Sequence, residues 1–144
     1  MVETKLRPVV AACEKHWESH KSDCSGFVKA VAAELGVALT GQANDILKSL
    51  ANPPWRGLAD GAEAQSKAAQ GYLVLGGLEA STNGHVVVVV PGVLNRGKYP
   101  SAYWGSLGTV GRKNTTINLS WTERDRDRVA YFYHSTKQFS EPSV

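Results

Sequence analysis

Apolar residues recur at helical spacing through the first half of the chain and cluster in short runs through the second. Val9, Val10, Cys13 and Trp17 share one face of a 3.6-residue repeat, which predicts a helix over Arg7 to Trp17 with Pro8 tolerated in its opening turn. Phe27, Val31 and Leu35 repeat every four residues and predict a second helix from Ser25 to Leu35, ended by Gly36. A third, Gln42 to Leu50, turns Ile46, Leu47 and Leu50 inward and is stopped by Asn52-Pro53-Pro54. The alanine-rich stretch Ala59 to Gln70 predicts a fourth, dependent on packing for its stability.

After Gly71 the pattern changes. Tyr72 to Leu75, Val86 to Val90, Ala102 to Leu107, Thr115 to Leu119 and Val129 to His134 are β-branched or aromatic runs separated by Gly, Asn and Pro, and they predict short strands. Val86 to Val90 lacks alternation, so it is expected to be a central strand buried on both faces. Helices first and strands afterwards predict an α+β fold, with N-terminal helices packed on an antiparallel sheet. A length of 144 residues suits one domain, 1–144.

Composition narrows the function classes. The net charge of +3 suits an anionic polymer, but there is no basic run, and Glu123 to Arg128 alternates in sign, so nucleic acid is not an expected partner. No apolar stretch approaches the roughly 20 residues of a membrane span, and membrane insertion is not expected. Met1 to Lys15 mixes acidic, basic and apolar residues without an apolar signal core, so no signal peptide is expected.

The chemistry concentrates at two places. Ser22-Asp23-Cys24-Ser25-Gly26 puts a cysteine just after N-cap residue types, and Gly84-His85 puts a histidine at the mouth of the valine strand. A thiolate is a strong nucleophile, a helix N-terminus is expected to lower its pKa, and a histidine can carry the proton in and out. Ser25 and Gly26 are small and leave room for a substrate carbonyl. The oxyanion is expected to meet the Cys24 backbone N–H, with the Ser25 or Ser22 hydroxyl as a second donor. Cys13, on the apolar stripe of the first helix, reads as a buried small residue. A competing arrangement gathers Cys13, His16, His20 and Cys24 around zinc, giving a non-catalytic, zinc-stabilised wall- or partner-binding module. The preferred reading needs no metal and no cofactor.

Asp23-Cys24-Ser25-Gly26 followed by Gly84-His85 resembles the NlpC/P60 cysteine peptidases. The segments Cys24–Val37, Gly61–Leu75, Gly84–Val86, Lys98–Pro100 and Asp125–Arg128 are similar to the family 1 amidase effectors of bacterial type VI secretion systems. The resemblance implies a papain-like fold and a peptidoglycan amidase that cuts the stem peptide between D-glutamate and meso-diaminopimelate. It further implies an antibacterial toxin, cytoplasmic in its producer and delivered by the type VI machinery into the periplasm of a Gram-negative recipient. The producer would carry a cognate periplasmic immunity protein. A different acyl substrate, as in a lipid acyltransferase or a deamidase, is the other enzymatic option.

In such relatives a polar group on the strand after the histidine strand orients the imidazole. Trp104 falls at that place, and Ser106 lies two residues on. Indole is only a donor, so Ser106, Trp104 or a backbone carbonyl are the alternatives. Trp55 and Tyr103 are expected to line the substrate groove. A cation for the free diaminopimelate carboxylate is expected among Lys21, Arg56, Arg96, Lys98 and Arg112.

Overall fold

The computed structural model describes residues 7–136, so both ends of the expected domain 1–144 extend beyond it. Among the described residues four α-helices, α1 (Pro8–His20), α2 (Cys24–Glu34), α3 (Ala43–Ser49) and α4 (Gly61–Ala69), accompany six strands. The strands are β1 (Trp55–Leu58), β2 (Val74–Leu78), β3 (His85–Val89), β4 (Ser101–Trp104), β5 (Arg112–Thr116) and β6 (Ala130–His134). They form one antiparallel sheet in the order β1-β6-β2-β3-β4-β5.

The sheet divides the core in two. Val86, Val88 and Val90 face a cluster built with Val9, Ala12 and Cys13 of α1, Phe27, Val28 and Val31 of α2, and Ile46 and Leu47 of α3. Val87 and Val89 face the opposite cluster, where Ala64 and Ala68 of α4 pack with Trp104, Ile117 and Tyr131. The whole valine run is at most 2% exposed, as its unbroken apolarity required. Each such side chain contributes about 1.5–3 kcal/mol over leaving it in water, so this strand is a rigid base for His85 at its mouth.

Several elements differ from expectation for local reasons. α1 runs on to His20, about one turn beyond the expected end at Trp17, and Lys21 after it pairs with Glu18 at 2.5 Å. β1 was not anticipated: its four residues gain their order from β6, with Trp55 opposite His134, a pairing no local pattern reveals. The expected strand Thr115–Leu119 is displaced to Arg112–Thr116, an exposed edge strand, and Ile117–Leu119 closes into a 3-10 turn. α4 lies on the face opposite the other three helices. No described helix is long and apolar enough to cross a membrane.

Candidate active site

Asp23 sits extended ahead of α2, and its Oδ1 accepts the Gly26 N–H at 3.0 Å. That cap makes Cys24 the first helical residue. A Cβ on Gly26 would stand 2.3 Å from Asp23 Oδ2, so glycine is what leaves space for the capping carboxylate. The Ser25 hydroxyl is within reach of Gln42 Oε1 at 3.0 Å and Asp23 Oδ1 at 3.3 Å, and it ties the mouth of α2 to the mouth of α3. Asp23, Ser25 and Gly26 thus build the scaffold of the turn and leave the cysteine sulfur unused by it.

The exit of β4 completes the pocket around the sulfur. Val88 faces Tyr103 across β3 and β4, a register that would set Val86 opposite Gly105. The chain has left the strand by then, and the Val86 N–H turns to the Cys24 sulfur instead. Gly105 passes so close beneath the α1–α2 turn that a Cβ there would stand 2.2 Å from the His20 carbonyl oxygen and 2.6 Å from that of Asp23. The Ser106 and Gly111 N–H groups both donate to the Lys21 carbonyl, at 3.0 and 2.8 Å, and pin the following loop to the same turn.

The electrostatics differ from the expected low-pKa thiol. Cys24 is only 9% exposed, and burial, the largest influence, pushes the thiol up. The Val86 N–H pulls it back, the Asp23 carboxylate raises it again, and the N–H groups of Ser25 and Cys24 lower it. Desolvation outweighs the helix terminus, so the thiol is protonated near neutral pH. Burial also lowers His85, to about 4, so its imidazole is neutral there. Both groups are therefore neutral at neutral pH, and both line one cleft.

His85 Nε2 lies 2.6 Å from Ser120 Oγ, and Trp121 meets the ring edge-on with centroids 5.0 Å apart. Ser120 and Trp121 follow the 3-10 turn anchored by Ile117, which is fully buried and donates its N–H to the Pro100 carbonyl at 3.0 Å. Cys24, His85 and Ser106 line one cleft of about 620 Å³, bounded by the start of α2, by α3 and by residues 82–84 and 106–107.

The remaining expected site residues lie as follows. Ser106 lines the cleft, but its hydroxyl accepts from Thr109 Oγ1 at 2.7 Å, and the hydroxyl on the His85 ring belongs to Ser120. β4 ends at Trp104, so Ser106 is not a strand residue facing the histidine. Trp104 is 3% exposed in the core beneath α4, and its carbonyl accepts from Trp17 Nε1. Tyr103 is a core residue whose hydroxyl donates to Glu14, and Trp55 is a core residue stacked edge-on against His134. Neither lines the cleft. The Ser25 hydroxyl is taken by Gln42 and Asp23 and is not open as an oxyanion donor. Among the described residues Cys13, His16, His20 and Cys24 do not gather into a metal-holding group: Cys13 is fully buried and His16 Nε2 meets Glu34 at 3.0 Å. None of the five expected cations borders the cleft.

Sequence reasoning missed Ser120 on the His85 ring and Gln42 and Lys48 in the lining of the cleft. The turn residues after a strand carry no periodic signal, and the packing of α3 beside α2 is tertiary. For Gln42, its position as N-cap of α3 was the available hint.

No family model matches the sequence. The chain is similar to the peptidoglycan amidase Tse1 of Pseudomonas aeruginosa, with 43% identity over 145 aligned residues that cover 93% of this chain and 94% of that protein. The α+β arrangement of helices on an antiparallel sheet is the NlpC/P60-like one. The chain belongs to the Tse1-like family of peptidoglycan amidases.

Proposed function

We propose that this protein is a cysteine amidase that hydrolyses the γ-D-glutamyl–meso-diaminopimelate bond of peptidoglycan stem peptides. One observation carries the reading: in a chain 43% identical to a peptidoglycan amidase, a capped helix-mouth cysteine and a strand-mouth histidine line a single cleft. His85 Nε2 pairs with Ser120 Oγ; in the reading proposed here Nε2 carries the proton and Nδ1 is the base. The Cys24 thiol proton passes to Nδ1 while Sγ attacks the γ-glutamyl carbonyl. The oxyanion is met by the Cys24 N–H and by the Gln42 side-chain amide, whose Oε1 end is held by Ser25 so that its NH2 end is left for the cleft. The imidazolium then protonates the diaminopimelate amine, the C–N bond breaks, and a thioester remains. Water attacks the thioester, its proton passes through His85 to the sulfur, and the glutamyl carboxylate leaves.

The wider role follows from the same reading. The enzyme is a type VI effector that acts in the periplasm of a recipient Gram-negative cell, and an immunity protein blocks the cleft in the producer. Mass spectrometry of Gram-negative muropeptides after incubation tests the proposal. The expected products separate at the D-glutamate–diaminopimelate bond, with one water added across the two fragments. Intact muropeptides, or a cut at another bond, would overturn it.

A further inference from the structure

The cleft is lined by two acidic side chains, Asp23 and Asp45, and one basic one, Lys48, beside the neutral His85. Both carboxylates are occupied. Asp23 caps α2 through the Gly26 N–H, and Asp45 Oδ2 accepts the Gln42 N–H at 3.1 Å. Lys48 has no ion pair or side-chain hydrogen bond among the described residues, although Asp45 lies one turn away on the same helix.

The backbone under Lys48 is fixed. Asn44, one turn earlier on α3, donates to the Ala80 carbonyl at 2.7 Å and accepts the Ala80 N–H at 3.2 Å. This two-way clamp sets α3 against the segment that leads into His85. A lysine ammonium is a point charge on a flexible four-carbon stem, so it can reach into the cleft from the helix flank.

The five cations singled out from sequence are placed elsewhere. Lys21 is paired with Glu18 and Lys98 with Asp127, Arg56 and Arg112 belong to the two edge strands, and Arg96 sits in the turn between the bridged Asn95 and Tyr99. We propose that Lys48 is a specificity residue that binds a free carboxylate of the stem peptide within the catalytic cleft. This rests on the peptidase reading above. The substrate offers such a group on either side of the scissile amide, as the α-carboxylate of the γ-linked glutamyl residue or the carboxylate of diaminopimelate. One uncommitted cation in a cleft whose acids are already bonded matches one anion. The bond it makes is charge-assisted and gains strength as substrate displaces water.

The test is a cycle between enzyme and substrate. Muropeptides with both carboxylates free, with the glutamyl α-carboxylate amidated, or with the diaminopimelate carboxylate amidated are given to wild type, Lys48→Met and Lys48→Arg. Wild type should lose about 10- to 100-fold in kcat/KM when the recognised carboxylate is amidated, the effect of one charged hydrogen bond. The substrate that shows the loss identifies the source. Lys48→Met should lose a similar factor on the free substrate and cease to discriminate, while Lys48→Arg should keep most of the preference. A Lys48→Met enzyme that still discriminates by the full factor would overturn the assignment. So would a wild type that cuts all three substrates alike. A wild type that cuts none of them would overturn the peptidase reading, and the Lys48 assignment with it.

Discussion

His85 Nε2 and Ser120 Oγ stand 2.6 Å apart, and the hydroxyl comes from the turn after β5 rather than from the strand beside the histidine. That turn is held by the buried Ile117 and by its N–H bond to Pro100. The imidazole is therefore oriented by a residue whose position is set in the core layer opposite the one that holds α2. The two halves of the site are anchored on opposite faces of the sheet and meet at the mouth of β3.

Ser120→Ala removes the hydroxyl that pairs with the ring Nε2. We predict a fall in kcat/KM of roughly tenfold to a hundredfold, part of the ~10²–10⁴ a general base supplies, with the thermal midpoint little changed. Ser120→Thr should recover most of the rate. Steady-state kinetics beside a thermal melt checks this, and unchanged kinetics for Ser120→Ala would contradict it.

The protonated Cys24 thiol and the neutral His85 predict how the thiol reacts with pH. Alkylation of Cys24 by iodoacetamide should be slow at neutral pH and rise only above pH 9, because burial pushes the thiol up. The acid limb of kcat/KM should lie well below 6.5, since His85 is lowered to about 4, with both limbs belonging to the pair. Rapid alkylation at pH 6 would indicate a preformed thiolate instead.

His85 also links stability to pH. Its folded pKa lies below the unfolded value, so its contribution is complete above pH 6.5 and is lost as pH falls through about 4. Denaturant unfolding of wild type should weaken across that window. The curve of His85→Gln should be flatter there, and parallel curves would contradict the assignment.

Much of this was legible in the chain and some was not. Four helices and the buried valine strand follow from spacing, because Phe27, Val31 and Val86 to Val90 are driven into the core by their own apolarity. The positions of Cys24 and His85 follow from caps and turns, which are local. β1 was hidden because its order comes from β6, some 75 residues away in sequence. Ser120 was hidden because nothing in Ile117-Asn118-Leu119-Ser120 states which strand mouth it reaches. The aromatic residues Trp55 and Tyr103 misled in the opposite direction: their size suits a groove, but here it fills the core. The thiol pKa was misjudged because a helix terminus is visible in sequence and burial is not.

Gln42 is the predicted side-chain donor to the oxyanion. Gln42→Ala should lower kcat by about 10²–10³ with a much smaller change in KM, the signature of a bond made in the transition state. Affinity for a peptide aldehyde that forms a hemithioacetal at Cys24 should fall in parallel. An effect confined to KM would assign Gln42 to substrate binding.

The central claim is that the Cys24 sulfur carries the acyl group. It is tested most directly by acid-quenching the enzyme during turnover of a muropeptide and mapping the mass of its cysteine-containing peptides. The expected result is the glutamyl fragment as a thioester on the Cys24 peptide, an unmodified Cys13 peptide, and full activity loss in a folded Cys24→Ala but not in Cys13→Ala. Acylation at Cys13, or turnover by Cys24→Ala at a comparable rate, would contradict it.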